Sequence, residues 1–144
     1  MERLEQSPIA RENFPRRALI VDDEPLIRWA ASSTLAEAGF AVTEAGSIEH
    51  ARELTCGAAF DLALLDVRLP DGDGLAFMRE IQRHQPACRF IMMTAFRTPE
   101  LSAQASQKAV RVLDKPFGMP ELASLAVTMV GTQEPDGARD GSGC

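Results

Sequence analysis

The stretch Leu62-Ala63-Leu64-Leu65-Asp66-Val67-Arg68-Leu69-Pro70 decides the reading of this chain. It is a short apolar run that ends in a carboxylate, and the turn-forming Asp71-Gly72-Asp73-Gly74 follows at once. A run this short between turn residues reads as a strand buried on both faces, as in a parallel sheet covered by helices. Asp66 then stands at the carboxyl end of a central strand, where open α/β sheets place their ligands.

Working outward, the same unit recurs on either side. Upstream, Ala18-Leu19-Ile20-Val21 is a first buried strand ending in Asp22-Asp23-Glu24, and Pro25 opens a helix because its fixed φ suits the first helical position. Along that helix Ile27, Ala30, Ala31, Thr34, Leu35 and Ala38 recur at helical spacing, and Gly39 closes it. Leu26 and Trp29 fall at the edge of the stripe. Phe40 to Ala45 is a second, weaker strand; Ser47 caps a helix expected to run to about Ala59. Downstream, Leu75, Met78 and Ile81 mark a helix that should end before Pro86. Arg89 to Met93 is a fourth strand ending in Thr94-Ala95. Thr98-Pro99 starts a thin helix to Lys108, anchored mainly by Leu101 and Ala105 and expected to be mobile. Val110 to Asp114 is a fifth strand leading into Lys115-Pro116-Phe117, and a last helix runs from about Pro120 to Val130. Five strands alternating with five helices predict an α/β fold, a doubly wound five-stranded parallel sheet with right-handed crossovers.

At 144 residues and 45% apolar content the chain fits one domain with a full core. The expected division is a polar leader over 1–17, one domain over 18–130, and a disordered tail over 131–144 rich in Gly and Asp. A net charge of -6 argues against nucleic acid as a direct partner, since phosphate neutralisation needs a basic face. No run reaches the length of a membrane span, and the N-terminus lacks a signal-peptide core, so a cytoplasmic, membrane-free protein is expected. Cys56, Cys88 and Cys144 lack metal-ligand spacing and read as free thiols of a reducing compartment.

The chemistry lies at the strand ends. Strand one contributes Asp22 and Asp23, strand three Asp66, strand four Thr94 and strand five Lys115. Parallel strands present their carboxyl ends on one rim, so these residues converge although far apart in sequence. Carboxylates about 4 Å apart repel by roughly 4 kcal/mol per pair at an effective dielectric near 20, so the cluster calls for a cation. An all-oxygen site with a free edge suits Mg²⁺, which keeps several waters and is commonly shared with a phosphate. Lys115 offers a point charge and Thr94 a hydroxyl, both suited to phosphate oxygens.

The motifs ALIVDDEP, LALLDVRLPDGDG, MMTA and VLDKPF, each at a strand end and in this order, resemble the receiver domains of two-component response regulators. The resemblance covers Ala18 to about Val130. It implies the flavodoxin-like (CheY-like) strand order 2-1-3-4-5. It also implies Asp66 as phosphoacceptor, Asp23 as direct Mg²⁺ ligand, Asp22 as an outer acid acting through water, and the backbone carbonyl of Arg68 as a further ligand. Thr94 and Lys115 would contact the phosphoryl group, and Lys115-Pro116 would be a cis peptide. The implied partner is a histidine kinase or histidine phosphotransfer protein, with an effector protein as possible receiver of the signal. The protein is expected to be a non-enzymatic signalling phosphoacceptor that assists its own phosphorylation and dephosphorylation. It is also expected to stand alone without an output domain, as a monomer or weak dimer.

The chain departs from the family pattern in one respect that bears on readout. The position that usually carries a switching aromatic in strand five is Val112, whose branched side chain is stiff. A shuttle or sink that returns the phosphoryl group to a phosphotransfer histidine needs the site but not that readout. The fourth-helix segment is also about a residue short, and the Gly often found before strand five is missing. A metal-dependent phosphohydrolase of the haloacid dehalogenase kind would want a second acid where Arg68 stands. A flavin-binding domain would want a glycine- or hydroxyl-rich loop where Asp22-Asp23-Glu24 stands. Asp71-Gly72-Asp73-Gly74 lacks the remaining ligands of a calcium loop and reads as a turn. His50 and His84 fall on helices remote from the rim and read as solvated. Leu26 and Trp29 read either as an amphipathic edge or as part of a docking surface for a histidine-bearing helical bundle.

Overall fold

The structure, a computed structural model, describes residues 15–107 and 109–131. Five strands form one sheet: β1 (Arg16–Val21), β2 (Phe40–Ala45), β3 (Leu62–Asp66), β4 (Arg89–Thr94) and β5 (Val110–Asp114). All are parallel, in the order β2-β1-β3-β4-β5. Five helices connect and follow them: α1 (Pro25–Glu37), α2 (Ile48–Gly57), α3 (Gly74–His84), α4 (Pro99–Gln104) and α5 (Met119–Ala126), the last continuing as a π turn over Val127–Gly131. This is the α/β doubly wound architecture that the alternating pattern predicts, with the flavodoxin-like strand order.

All five residues of β3 are buried, and its alternate side chains feed two separate cores. Ala63 and Leu65 join Leu19, Val21, Phe77, Met78, Phe90 and Met92 beneath α2, α3 and α4. Leu62 and Leu64 join Ile20, Ala31, Leu35, Ile91, Leu113 and Leu122 beneath α1 and α5. Each fully buried Leu, Ile or Met contributes about 1.5–3 kcal/mol, so this two-sided burial is what makes β3 the axis of the fold.

Several local expectations need adjustment. Strand β1 begins at Arg16, not Ala18, because Arg16 and Arg17 extend the pairing with Phe40 and Ala41. The Arg17 amide donates to Asp61 Oδ2 at 2.8 Å and its guanidinium lies over the Phe60 ring, so a charged residue can hold strand geometry at the sheet's lower edge. Residues 1–14 of the expected leader and 132–144 of the expected tail lie outside the described residues. In α1 only Ala31 and Leu35 are buried, a narrower stripe than the spacing alone predicts. Gly39, at φ +106°, does end it as expected. The turn after β3 is more ordered than a simple turn: Arg68–Leu69 and Gly72–Asp73 pair as a small antiparallel ribbon with Pro70 and Asp71 at its tip. Cys88 is a buried thiol outside any disulfide, as expected, whereas the exposed Cys56 at the end of α2 is disulfide-bonded, which corrects its expected reading as a thiol. Among the described residues, no helix is long and apolar enough to cross a membrane.

Candidate functional site

The rim at the carboxyl ends of β1, β3 and β5 is where the polar residues meet. Asp22 and Asp23 follow β1, Asp66 closes β3, and one carboxylate oxygen of each lies within 4.8 Å of the others. Asp22 and Asp66 are buried, Asp23 is exposed. From the residue directly after β5, whose peptide bond to Pro116 is cis, Lys115 Nζ lies 2.9 Å from Asp66 Oδ2 and 3.6 Å from both Asp22 Oδ2 and Glu24 Oε1. One ammonium thus faces the carboxylates of Asp22, Asp23, Glu24 and Asp66.

The electrostatics follow from that imbalance. Burial pushes the Asp22 carboxyl above its ordinary value; the Glu24 amide and Lys115 oppose the shift, and the charges of Asp66 and Glu24 add to it. Burial acts to lower Lys115, but its hydrogen bond to Asp66 and the charges of Asp22, Asp66 and Glu24 outweigh burial and hold the ammonium above its ordinary value. Lys115 therefore stays charged. Asp22 Oδ1 accepts from the Glu24 amide at 2.9 Å, while Asp22 Oδ2 is buried and has no hydrogen-bond partner. A buried, unbonded carboxylate oxygen beside two further carboxylates, with only oxygen donors around, is a set that fits a hard divalent cation.

Neighbouring contacts hold these groups in place. Asp66 Oδ1 accepts from the Arg68 amide at 3.2 Å, so both of its oxygens are engaged. The Gly74 amide donates to the Val67 carbonyl at 2.7 Å, and a Cβ on Gly74 would stand 2.0 Å from the Asp66 carbonyl oxygen. Only glycine fits there. From α1, Arg28 Nη1 donates to the Asp22 carbonyl at 2.6 Å, and its Nε lies 3.3 Å from Glu44 Oε1. The spacing of Arg28 one turn into α1 marks it only as a helix residue, so its reach back to the rim was not legible in advance.

Thr94 is buried at the end of β4, but its hydroxyl donates to the Phe96 carbonyl at 2.7 Å and accepts from the Phe96 amide at 3.0 Å. The Arg68 side chain is exposed. Val112 is partly buried and packs against the core under α4. His50 and His84 are exposed, on α2 and α3 as expected. Leu26 and Trp29 on α1 are 79% and 66% exposed, and Phe96 in the loop after β4 is 73% exposed.

An acidic strand-end cluster beside a lysine, at the rim of a five-stranded parallel sheet in this order, puts the chain among the doubly wound α/β proteins, whose ligands sit at the carboxyl ends of the strands. Comparison with known proteins gives the family: residues 18–127 match the response regulator receiver domain, and the chain belongs to that family. The response regulator protein PilR of Pseudomonas aeruginosa is 37% identical over 122 residues, which cover 84% of this chain and 27% of PilR. The DNA-binding transcriptional regulator NtrC of Escherichia coli K12 is 34% identical over 107 residues, 74% of this chain and 23% of NtrC. The chain thus spans about a quarter of the length of these relatives. Among solved structures, a CheY-like receiver domain protein from Methanospirillum hungatei superposes with a TM-score of 0.72 at 25% identity, covering 80% of this chain and 94% of that one. The response regulator TrrA of Thermotoga maritima, solved with Mg²⁺ and beryllofluoride, has a TM-score of 0.68 at 28% identity and covers 80% of this chain and 99% of that one.

Proposed function

We propose that this receiver domain, with 18–130 as its receiving unit, accepts a phosphoryl group on Asp66 from a histidine kinase or histidine phosphotransfer protein in the cytoplasm. The observation that carries the reading is the Asp22–Asp23–Asp66 cluster with Lys115 Nζ on Asp66 at 2.9 Å. Asp22, Asp23, Asp66 and the backbone carbonyl of Arg68 would hold Mg²⁺, which when bound neutralises charge on the transferred group. In the transfer an Asp66 carboxylate oxygen attacks the phosphorus in line, a P–O bond forms, the P–N bond of the phosphohistidine breaks, and imidazole leaves with its electron pair. Lys115, held protonated by its acidic neighbours, stabilises the equatorial oxygens without moving a proton. Thr94 receives the product: its hydroxyl must leave the Phe96 backbone to meet a phosphoryl oxygen. Hydrolysis of the resulting acyl phosphate limits the lifetime of the signal at the same site.

The exposed Leu26 and Trp29 offer apolar contact beside this pocket for a histidine-bearing helical partner. Direct binding of nucleic acid is not part of the proposal, given a net charge of -6. A second reading, a phosphoryl shuttle or sink that hands the group to a phosphotransfer histidine, is favoured by Val112, which is already packed against the core and too short to swing as an aromatic does.

Incubation with acetyl phosphate or beryllofluoride in Mg²⁺, followed by mass and by Trp29 fluorescence, tests the main reading. Wild type should gain one phosphoryl group and Asp66→Asn none. Equal behaviour of the two overturns it. Return of the group to a phosphotransfer histidine, against capture of a partner by the modified form alone, separates shuttle from effector signalling.

A further inference from the structure

The ribbon that follows Asp66 is gripped at its tip by a contact that the phosphoacceptor chemistry does not itself require. Asp71 stands at the tip, next to Pro70. Its Oδ1 accepts from the Ile48 amide at 2.9 Å and its Oδ2 from the Glu49 amide at 3.0 Å, both in the first turn of α2. That turn is itself fixed, because Ile48 and Ala51 are buried in the core. A second observation shows how closely the two pieces fit: a Cβ on Gly72 would meet Ile48 Cδ1 at 3.0 Å, so the ribbon backbone passes directly against α2. At its base the same ribbon is tied by the Gly74 amide to Val67 and by the Arg68 amide to Asp66 Oδ1.

Resting on the phosphoacceptor reading, we infer that Asp71 is a positioning residue for the cation side of the site. By clamping the ribbon to α2 it holds the Arg68 backbone, and so the Arg68 carbonyl, against the Asp22–Asp23–Asp66 cluster. Two backbone amides donated to one carboxylate are strong contacts, and they point with the positive end of the α2 dipole. They also hold the Asp71 carboxyl below its ordinary value, so the clamp is charged throughout the neutral range. An outer partner of a metal ligand commonly tunes affinity although it never touches the ion.

α2 provides its own control. Ser47 caps the same helix locally, accepting from the His50 amide at 3.2 Å, and its side chain makes no hydrogen bond to the ribbon. Asp71→Ala and Ser47→Ala each remove a cap from α2, but only the first releases the ribbon. Three measurements on the full chain test the idea: thermal melting, Mg²⁺ affinity by calorimetry, and amide exchange over 66–74 without metal. Asp71→Ala should weaken Mg²⁺ about 3- to 10-fold and speed ribbon exchange about fivefold or more, with Asp71→Asn between it and wild type. Ser47→Ala should lower Tm yet keep wild-type Mg²⁺ affinity and ribbon exchange. Wild-type values for Asp71→Ala, or equal weakening in Ser47→Ala, overturn the inference. Wild type that takes up no Mg²⁺ is a different failure, read from wild-type calorimetry alone, and removes the phosphoacceptor reading together with this inference.

Discussion

Two loops leave the same rim of the sheet and are held in opposite ways. The segment from Asp66 to Leu75 is tied at every step: both Asp66 oxygens are bonded, the Gly74 amide meets Val67, Asp73 caps α3 through the Leu75 amide, and Asp71 grips α2. The segment from Thr94 to Gln104 is held by little. Its residues 95–100 are all exposed, α4 has six residues, and Leu101 is the one it buries. The contrast teaches where chemistry and signal can live. A nucleophile must be placed to a fraction of an ångström, which needs an over-determined loop. A change of state needs an element with few contacts to give up. Thr94 stands at the junction, its hydroxyl spent on the loose loop in this state.

The hardest way to break the tight side is Gly74→Ala. The added Cβ has backbone 2.0 Å away, so neither partner can yield by rotating a side chain. The loss should be about 3 kcal/mol or more, with a Tm drop of about 10 °C or more in a melt followed by circular dichroism. Phosphoryl uptake from acetyl phosphate should fall even where the variant remains folded, since the displaced atom is the carbonyl of Asp66 itself. A variant that melts and labels as wild type does would show that this loop is far softer than its contacts imply.

On the loose side, Leu101→Ala removes the lone buried anchor of α4 and should cost about 2 kcal/mol. What matters is where the cost falls. The Ser102 and Ala105 amides, bonded to the Thr98 and Leu101 carbonyls, should lose exchange protection, while the Val67 and Gly74 amides keep theirs. Loss of protection on both sides together would mean that the two loops form one cooperative unit.

The tight side also stores repulsion. Asp22 is buried, one of its oxygens is unbonded, and burial together with Asp66 and Glu24 raises its carboxyl above the ordinary value. A carboxyl with a raised folded value contributes stability below the unfolded value near 3.9, and that contribution is lost as pH rises through the folded value. At neutral pH without Mg²⁺, Asp22→Asn should therefore be more stable than wild type, by on the order of 1 kcal/mol or a few degrees in Tm. The gain should vanish in acid, and Mg²⁺ affinity should fall. A metal-free variant less stable than wild type at pH 7 would assign Asp22 a supporting role in the fold.

How far these features were legible in the sequence depends on the range of the interaction. The strands follow from short apolar runs such as Leu62 to Leu65 and their parallel pairing from alternation with helices, whereas their order follows only from the family resemblance. The convergence of Asp22, Asp23, Asp66 and Lys115 follows from parallel strands sharing a rim. What could not be read were contacts between elements whose register depends on side-chain geometry: Arg28 reaching Asp22, Asp71 reaching α2, and Thr94 turning to Phe96. Pro70-Asp71-Gly72 does announce a turn, but a turn residue that caps a helix more than twenty positions upstream has no local signature. Arg16 and Arg17 read as part of a polar leader because the N-terminal stretch mixes acids with arginines, and Asp61 and Phe60, which let them open a strand, stand more than forty positions downstream.

The weakest tie on the loose side gives the smallest effect. Arg97 and Asp114 form two parallel hydrogen bonds, at 2.9 and 3.0 Å, that join the loop after β4 to the end of β5. Both side chains are largely exposed, so solvent screens the pair. Arg97→Ala should shift Tm by no more than about 2 °C, and 1 M salt should reproduce most of that shift in wild type. The pH dependence has a definite sign. The Arg97 hydrogen bond lowers the Asp114 carboxyl below its ordinary value, so whatever the pair contributes is present above the unfolded value near 3.9 and is lost as pH falls through the lower folded value. Wild type and Arg97→Ala should converge in acid and separate slightly at neutral pH. A gap as large as that expected for Leu101→Ala would make this exposed pair, and not the single buried leucine, the main tether of the segment beside Thr94. The loop that holds the Thr94 hydroxyl would then be opened by salt and acid.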